Sequence, residues 1–254
     1  MKQGDFTLLA KDYINRTGYS VRVLKSIATY IGAYHDGFMV ADIGAGTGKL
    51  TENLIEIGMR GYAVEPNDAM REEGIRLFGV SPRFTWAKGT AENTGLPDAS
   101  VDWVLMASAF HWTDGHKALA EFHRILTPRG FLTTLWNPRA LEQNELHRKI
   151  EKNIYEIVPD IQRVSSGSSK YTVGIEATLL AGDLFKNLIF MEAPHEVVMT
   201  KERYLGAWRS VNDIQAQAGM EKFKRIMNMI ENEISNMQEV EVPYKTRAWT
   251  VQRK

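Results

Sequence analysis

The sequence predicts an α/β protein built on a doubly wound, mostly parallel sheet, and three observations predict it. From Phe38 onward, short β-rich runs alternate with longer segments of helical spacing, the pattern of parallel βαβ units. Three glycines, Gly44, Gly46 and Gly48, stand two apart at the junction of the first such strand and the next helix. An acidic residue, Glu65, closes the second strand run 21 residues after Gly44.

Taken in order, the runs at 38–43, 61–65, 83–87, 101–107 and 130–136 read as strands. Between them, 49–58, 68–78 and 117–126 carry helical spacing, bounded by turn formers such as Pro66, Pro82, Pro97 and the corner at Pro128, Arg129 and Gly130. After Pro138 the rhythm changes. Residues 139–158 read as one long helix, and 160–174 are polar, rich in serine and poor in pattern, as in a lid or a mobile connection. A β-rich run at 188–199, helical segments over 201–237 and an alternating run at 240–251 follow. The two late strands complete a seven-stranded sheet whose last strand is antiparallel.

Composition narrows the function classes. Of 254 residues, 44% are hydrophobic and 24% charged, enough apolar material for a full core. Lys plus Arg and Asp plus Glu are both 31, so no global field attracts a phosphate polymer, and nucleic acid is not the expected partner. The absence of cysteine removes disulfides, thiolate metal sites and a Cys nucleophile together. The N-terminal segment has no uninterrupted apolar stretch of signal-peptide type, and no run approaches the roughly 18 apolar residues of a spanning helix. A cytoplasmic protein without membrane contact, monomeric or homodimeric, is expected. His35, His116, His123, His147 and His195 show no metal-ligand spacing, so no metal is expected, and no Ser sits in a nucleophile elbow.

The glycine turn carries the chemistry. Glycine there lets the chain turn sharply and lets a ligand approach without a Cβ in the way, while the helix behind offers N–H groups to an anion. A dinucleotide fingerprint would place its third glycine at position 49, which is Lys49, so the match to a pyrophosphate site is poor. Glu65 stands where such a sheet sets a carboxylate against the two hydroxyls of a ribose.

The string DIGAGTG at 42–48, with AVEP at 63–66, resembles the cofactor-binding half of class I S-adenosylmethionine-dependent methyltransferases, which have a Rossmann-like seven-stranded sheet with helical lid additions. GTAENTGLPDASVDWV at 89–104, ASAFHWTD at 107–114 and RILTPRGFL at 124–132 extend the resemblance over about residues 38–137. Within that superfamily the chain is most similar to the small-molecule group that includes trans-aconitate methyltransferases, where a His-Trp pair follows the fourth strand. The string DYINRTGYS resembles that group's Tyr, Arg, Tyr signature, with Thr17 and Ser20 where prolines are common.

The resemblance implies one domain over 1–254, with N-terminal cap helices at 1–35, a cofactor-binding half at 36–137, and an acceptor-side lid with the last two strands at 138–254. It implies that Asp42, Gly44, Ala45, Gly46 and Gly48 hold the methionine part of S-adenosylmethionine, and of the product S-adenosylhomocysteine. Glu65 and Pro66 meet the ribose, Met70 one adenine face, and Ala91 and Glu92 the adenine edge; Thr90 stands where many relatives carry an aspartate. Arg16 grips the cofactor carboxylate in a two-point fork, Tyr13 and Tyr19 pack as a cap, and Ser108 and His111 border the cofactor. His111 is also the candidate general base, needed only where an acceptor must first lose a proton. Tyr19, Trp112, Trp136, Tyr204, Trp208 and Arg209 are the candidate acceptor contacts. The apolar stripe Phe223, Ile226, Met227, Ile230, Ile234 and Met237 is core or a subunit contact.

The expected activity is methyl transfer to oxygen, nitrogen or carboxylate of a small molecule by in-line displacement. Three other readings share much of the pattern: an NAD-dependent oxidoreductase, methylation of RNA or protein, and a binder of the adenosyl cofactor that does not turn over.

Overall fold

The computed structural model describes residues 5–140, 144–163 and 172–254. A seven-stranded sheet is made by β1 (Val40–Ile43), β2 (Gly61–Val64), β3 (Phe84–Ala87), β4 (Val101–Ala107), β5 (Leu126–Trp136), β6 (Phe185–Thr200) and β7 (Glu239–Arg253), in the order β3-β2-β1-β4-β5-β7-β6. The pairs within β1–β5 are parallel, and β7 pairs antiparallel to β5. The predicted architecture is thus the observed one, although β7 lies between β5 and β6 in the sheet.

The chain divides into two compact units. The sheet unit comprises 18–137, 166–193 and 246–254; the helical unit comprises 1–17, 138–165 and 194–245, with β6 and β7 contributing residues to both ranges. In the sheet unit, β1 and β4 are almost wholly apolar and buried, as strands covered on both faces require. Trp103, Leu105 and Ile43 are fully buried, each contributing about 1.5–3 kcal/mol over exposure. The helices here are α2 (Val21–Tyr30), α3 (Lys49–Glu56), α4 (Asp68–Phe78), α5 (Gly115–Ile125) and α7 (Ile175–Leu180); the short α1 (Ala10–Tyr13) belongs to the helical unit. Caps set their starts. Ser20, Asn67 and Asp114 each accept the amide N–H three residues on, satisfying donors that the first turn leaves open.

The helical unit also holds α6 (Glu145–Ile157), α8 (Lys201–Arg209) and α9 (Asn212–Glu233). Ile150, Ile154, Tyr204, Trp208, Ile226, Ile230 and Ile234 form its core, so Ile226, Ile230 and Ile234 of the apolar stripe face inward.

Three expectations are corrected. The long helix expected at 139–158 starts only at Glu145, because Arg139 bridges to Tyr244, the Ala140 amide donates to the Pro243 carbonyl, and Asn144 caps the first turn. The helical segments expected over 201–237 end at Glu233, as α8 and α9, with a kink at Gly219, whose φ is 71°. The Pro128–Gly130 corner lies inside β5, where Arg129 has φ of 70° and the pairing with β4 shifts register. The serine-rich run at 164–171 lies outside the described residues.

Candidate functional site

Strand order creates the site. From β1 the chain winds outward through β2 and β3, then returns to the other side of β1 as β4. A sheet that reverses direction in this way opens a crevice beyond the carboxyl ends of its two central strands. The glycine turn follows β1, and Ser108 and His111 follow β4. The two segments touch: a Cβ on Gly44 would lie 3.0 Å from the Ala109 Cβ, and one on Gly46 would lie 3.3 Å from the Met70 Cε. Gly44 and Gly46 also have φ of 70° and 59°, so left-handed geometry and close approach both demand glycine.

Glu65 is tied to this turn. One carboxylate oxygen accepts the Gly46 amide at 2.8 Å and the other accepts the Asn67 amide at 2.8 Å. Burial raises its pKa, against the lowering effect of those two amides and of Arg71. Each oxygen keeps a second lone pair, so the carboxylate can still accept from a diol. Asp42 is fully buried. Its Oδ2 accepts from the Thr51 hydroxyl at 2.6 Å, while its Oδ1 has no hydrogen-bond partner. Burial pushes this carboxyl up to about 7, with the Thr51 bond opposing and the charge of Glu65 adding to the rise. A buried oxygen left without a hydrogen-bond partner costs free energy that a partner would recover.

Met70 is buried behind the turn, its amide held by the Asn67 cap. Ala91 is buried, and the Glu92 carboxylate accepts the Asp114 amide at 2.9 Å, joining the loop after β3 to the start of α5. Gly48 caps α3, Ala45 is buried inside the turn, and Pro66 follows Glu65. Ser108 has φ of 51°, an uncommon backbone state for a non-glycine residue, and its hydroxyl accepts from Tyr19 at 3.1 Å. Residues held in such conformations cluster at ligand sites.

His111 lies in a short turn, Phe110–Trp112. Its Nδ1 faces the indole N–H of fully buried Trp136 at 3.3 Å. An indole N–H only donates, so Nδ1 is an acceptor and the ring proton sits on Nε2. Burial lowers the imidazole pKa to about 4, which keeps the ring neutral. In this tautomer the one in-plane lone pair of the ring, on Nδ1, is already engaged. Trp112 packs 4.7 Å from His111 and remains half exposed.

The other candidates lie in the helical unit. Arg16 stacks over Tyr13 at 4.2 Å and donates to the Ser210 hydroxyl at 2.7 Å and carbonyl at 2.8 Å. Arg209 pairs with Asp12 at 3.0 Å. Tyr204 and Trp208 are fully buried neighbours on α8. Sequence reading missed His147 and Arg139 as companions of that pair, because no local motif marks them. Among the described residues, no group of three or more His, Cys, Asp or Glu is placed to hold a metal ion, and no helix is long and apolar enough to cross a membrane.

Comparison with known proteins agrees with this geometry. Residues 41–134 match the family model of the methyltransferase domain. An uncharacterised methyltransferase of Mycobacterium tuberculosis is 45% identical over 100 residues, 39% of this chain and 40% of that protein, so the likeness spans well under half of the relative. An uncharacterised methyltransferase-like protein of Schizosaccharomyces pombe is 26% identical over 228 residues, covering 85% of this chain and 82% of its own. In fold, a candidate type II methyltransferase from Anaeromyxobacter dehalogenans superposes with a TM-score of 0.64 at 21% identity, over 92% of this chain and 97% of that one.

Proposed function

Because residues 41–134 match the family model of the methyltransferase domain, we propose that this protein is a class I methyltransferase that transfers a methyl group from S-adenosylmethionine to a small-molecule acceptor. The observation that carries the reading is the pairing of the glycine turn with Glu65, reinforced by the unpartnered oxygen of Asp42. The residues fit the cofactor. Glu65 takes the ribose diol, Asp42 the amino group of the methionine part, Gly44 and Gly46 the close backbone approach, and Met70, Ala91 and Glu92 the adenine.

When bound, that cofactor supplies an electrophilic methyl group on a sulfonium. The chain's own residues hold it, aim it and exclude water, since an in-line displacement that neutralises charge needs alignment above all. His111, neutral with its proton on Nε2, orients rather than deprotonates. A small acceptor agrees with the zero net charge, which gives a nucleic acid nothing to follow.

Calorimetric titration with S-adenosylhomocysteine, with NAD as control, tests the reading. Saturable binding near micromolar, about 8 kcal/mol, with none for NAD, is expected. NAD binding in its place would overturn the reading at its first step.

A further inference from the structure

A cavity of about 430 Å³ opens in the sheet unit between the chain entering α7 and strand β7, within the size range of small-molecule sites. Thr172, Val173, Glu176 and Ala177 line it from one side, Arg247 and Trp249 from the other. Arg247 stands opposite Trp136, the last residue of β5. The cavity therefore lies at the carboxyl end of that strand, the end of the sheet at which the glycine turn also lies.

Two opposite charges line this cavity without pairing. Glu176 is held by the indole N–H of Trp249, which donates to its Oε1 at 3.2 Å. Arg247 is held elsewhere: its Nε donates to Glu192 Oε2 at 3.1 Å and one Nη to Thr172 Oγ1 at 3.3 Å. Its guanidinium also lies over the rings of Trp249 and Phe190, at 5.0 and 5.6 Å. Among the described residues, Glu176 Oε2 and the other Nη of Arg247 meet no hydrogen-bond partner, and the two side chains form no ion pair with each other. Trp249 is buried and packs against Phe190 at 4.7 Å and Trp136 at 5.7 Å, so the anchor of both charges is rigid. Groups fixed before a ligand arrives lower the ordering cost of binding it.

The chemistry of the ligand follows from that pair. A lone amine would meet the Arg247 cation, and a lone carboxylate would meet the Glu176 anion. A ligand carrying both places its ammonium on Glu176 and its carboxylate on the open edge of the guanidinium, with a charge-assisted bond at each end. Val173 and Ala177 suit an apolar side chain beside them. We propose that this cavity binds a small zwitterionic amino acid with an apolar side chain, held between Glu176 and Arg247. The site rests on these contacts and not on the reaction proposed above.

Titration of the full chain with L-leucine and with L-phenylalanine tests this by calorimetry and tryptophan fluorescence. Each is compared with its N-acetyl derivative, which lacks the ammonium, and its amide, which lacks the carboxylate. At least one amino acid should bind saturably at millimolar concentration or below, with both derivatives roughly tenfold weaker, the loss of one hydrogen bond between charged groups. Glu176→Gln, at an exposed position, should weaken the amino acid by about the same factor and spare its N-acetyl derivative. Arg247→Gln should weaken the amino acid and spare its amide, with far-UV circular dichroism reporting the fold. A generally destabilised site would not give this crossed pattern. Absence of saturable binding, either derivative binding as tightly as the amino acid, or binding unchanged in both variants would sink the proposal. S-adenosylhomocysteine binding without amino-acid binding would remove this site and leave the methyltransferase reading standing; the reverse pattern would do the opposite.

Discussion

Glu65 shows what one residue contributes and how it can be tested. Its two oxygens already serve the Gly46 and Asn67 amides, so truncation removes the proposed ligand contact and leaves two part-buried donors unpaired. Glu65→Ala should weaken S-adenosylhomocysteine binding by about 1–3 kcal/mol, read as a shift in the calorimetric dissociation constant. That Glu65 stands beside the glycine turn was legible because strand end and turn lie close in sequence. The state of His111 was not, since its tautomer depends on Trp136, 25 residues away. His111 and His147 are both held to about 4, against 6.5 for an ordinary imidazole, with burial the leading cause. Between those values the unfolded chain takes up protons that the folded chain refuses. The stability from keeping both rings neutral is therefore complete above about pH 6.5 and lost as pH falls towards 4. Thermal midpoints across that window should fall less steeply in His111→Asn than in the parent; identical slopes would show that His111 titrates normally.

At the scale of elements, the loop between β3 and β4 is pinned to α5 by one network. Glu121 accepts from the Thr94 amide at 2.8 Å, the Thr94 hydroxyl at 2.6 Å and Arg124 at 2.7 Å, while Arg124 reaches on to Asp98 and the Leu96 carbonyl. Burial works to raise the Glu121 pKa, but Arg124 and Thr94 outweigh it and bring the carboxyl down to about 2. The stabilisation is then present above the ordinary 4.5 and lost as pH falls from there through 2. Glu121→Ala should cost about 1–3 kcal/mol in urea unfolding near neutral pH, and the deficit should shrink in acid. A deficit that is the same at both pH values would contradict the network's charge. Element boundaries divided by cause. Where a cap is local, as at Asn67, the expected helix 68–78 and the observed one coincide. Where a distant strand captures the backbone, as Tyr244 does Arg139, the expected helix lost its first turn and more.

For the whole molecule, ligand binding and stability are linked. A cofactor that binds only the folded chain adds about 2.7 kcal/mol at a hundred times its dissociation constant. S-adenosylhomocysteine should therefore raise the thermal midpoint in a concentration-dependent way, NAD should not, and equal shifts from both would mark non-specific stabilisation. The sequence by itself determined the sheet, its winding and the glycine turn with its carboxylate, because hydrophobic periodicity and turn chemistry are local and βαβ handedness leaves few topologies. Only the tertiary structure decided the rest. The position of β7 between β5 and β6, the His111 tautomer, and the gathering of Arg139, His147, Tyr204 and Trp208 in the helical unit all depend on residues far apart in the chain. No local pattern encodes such meetings, since packing selects them from the many that loop closure allows.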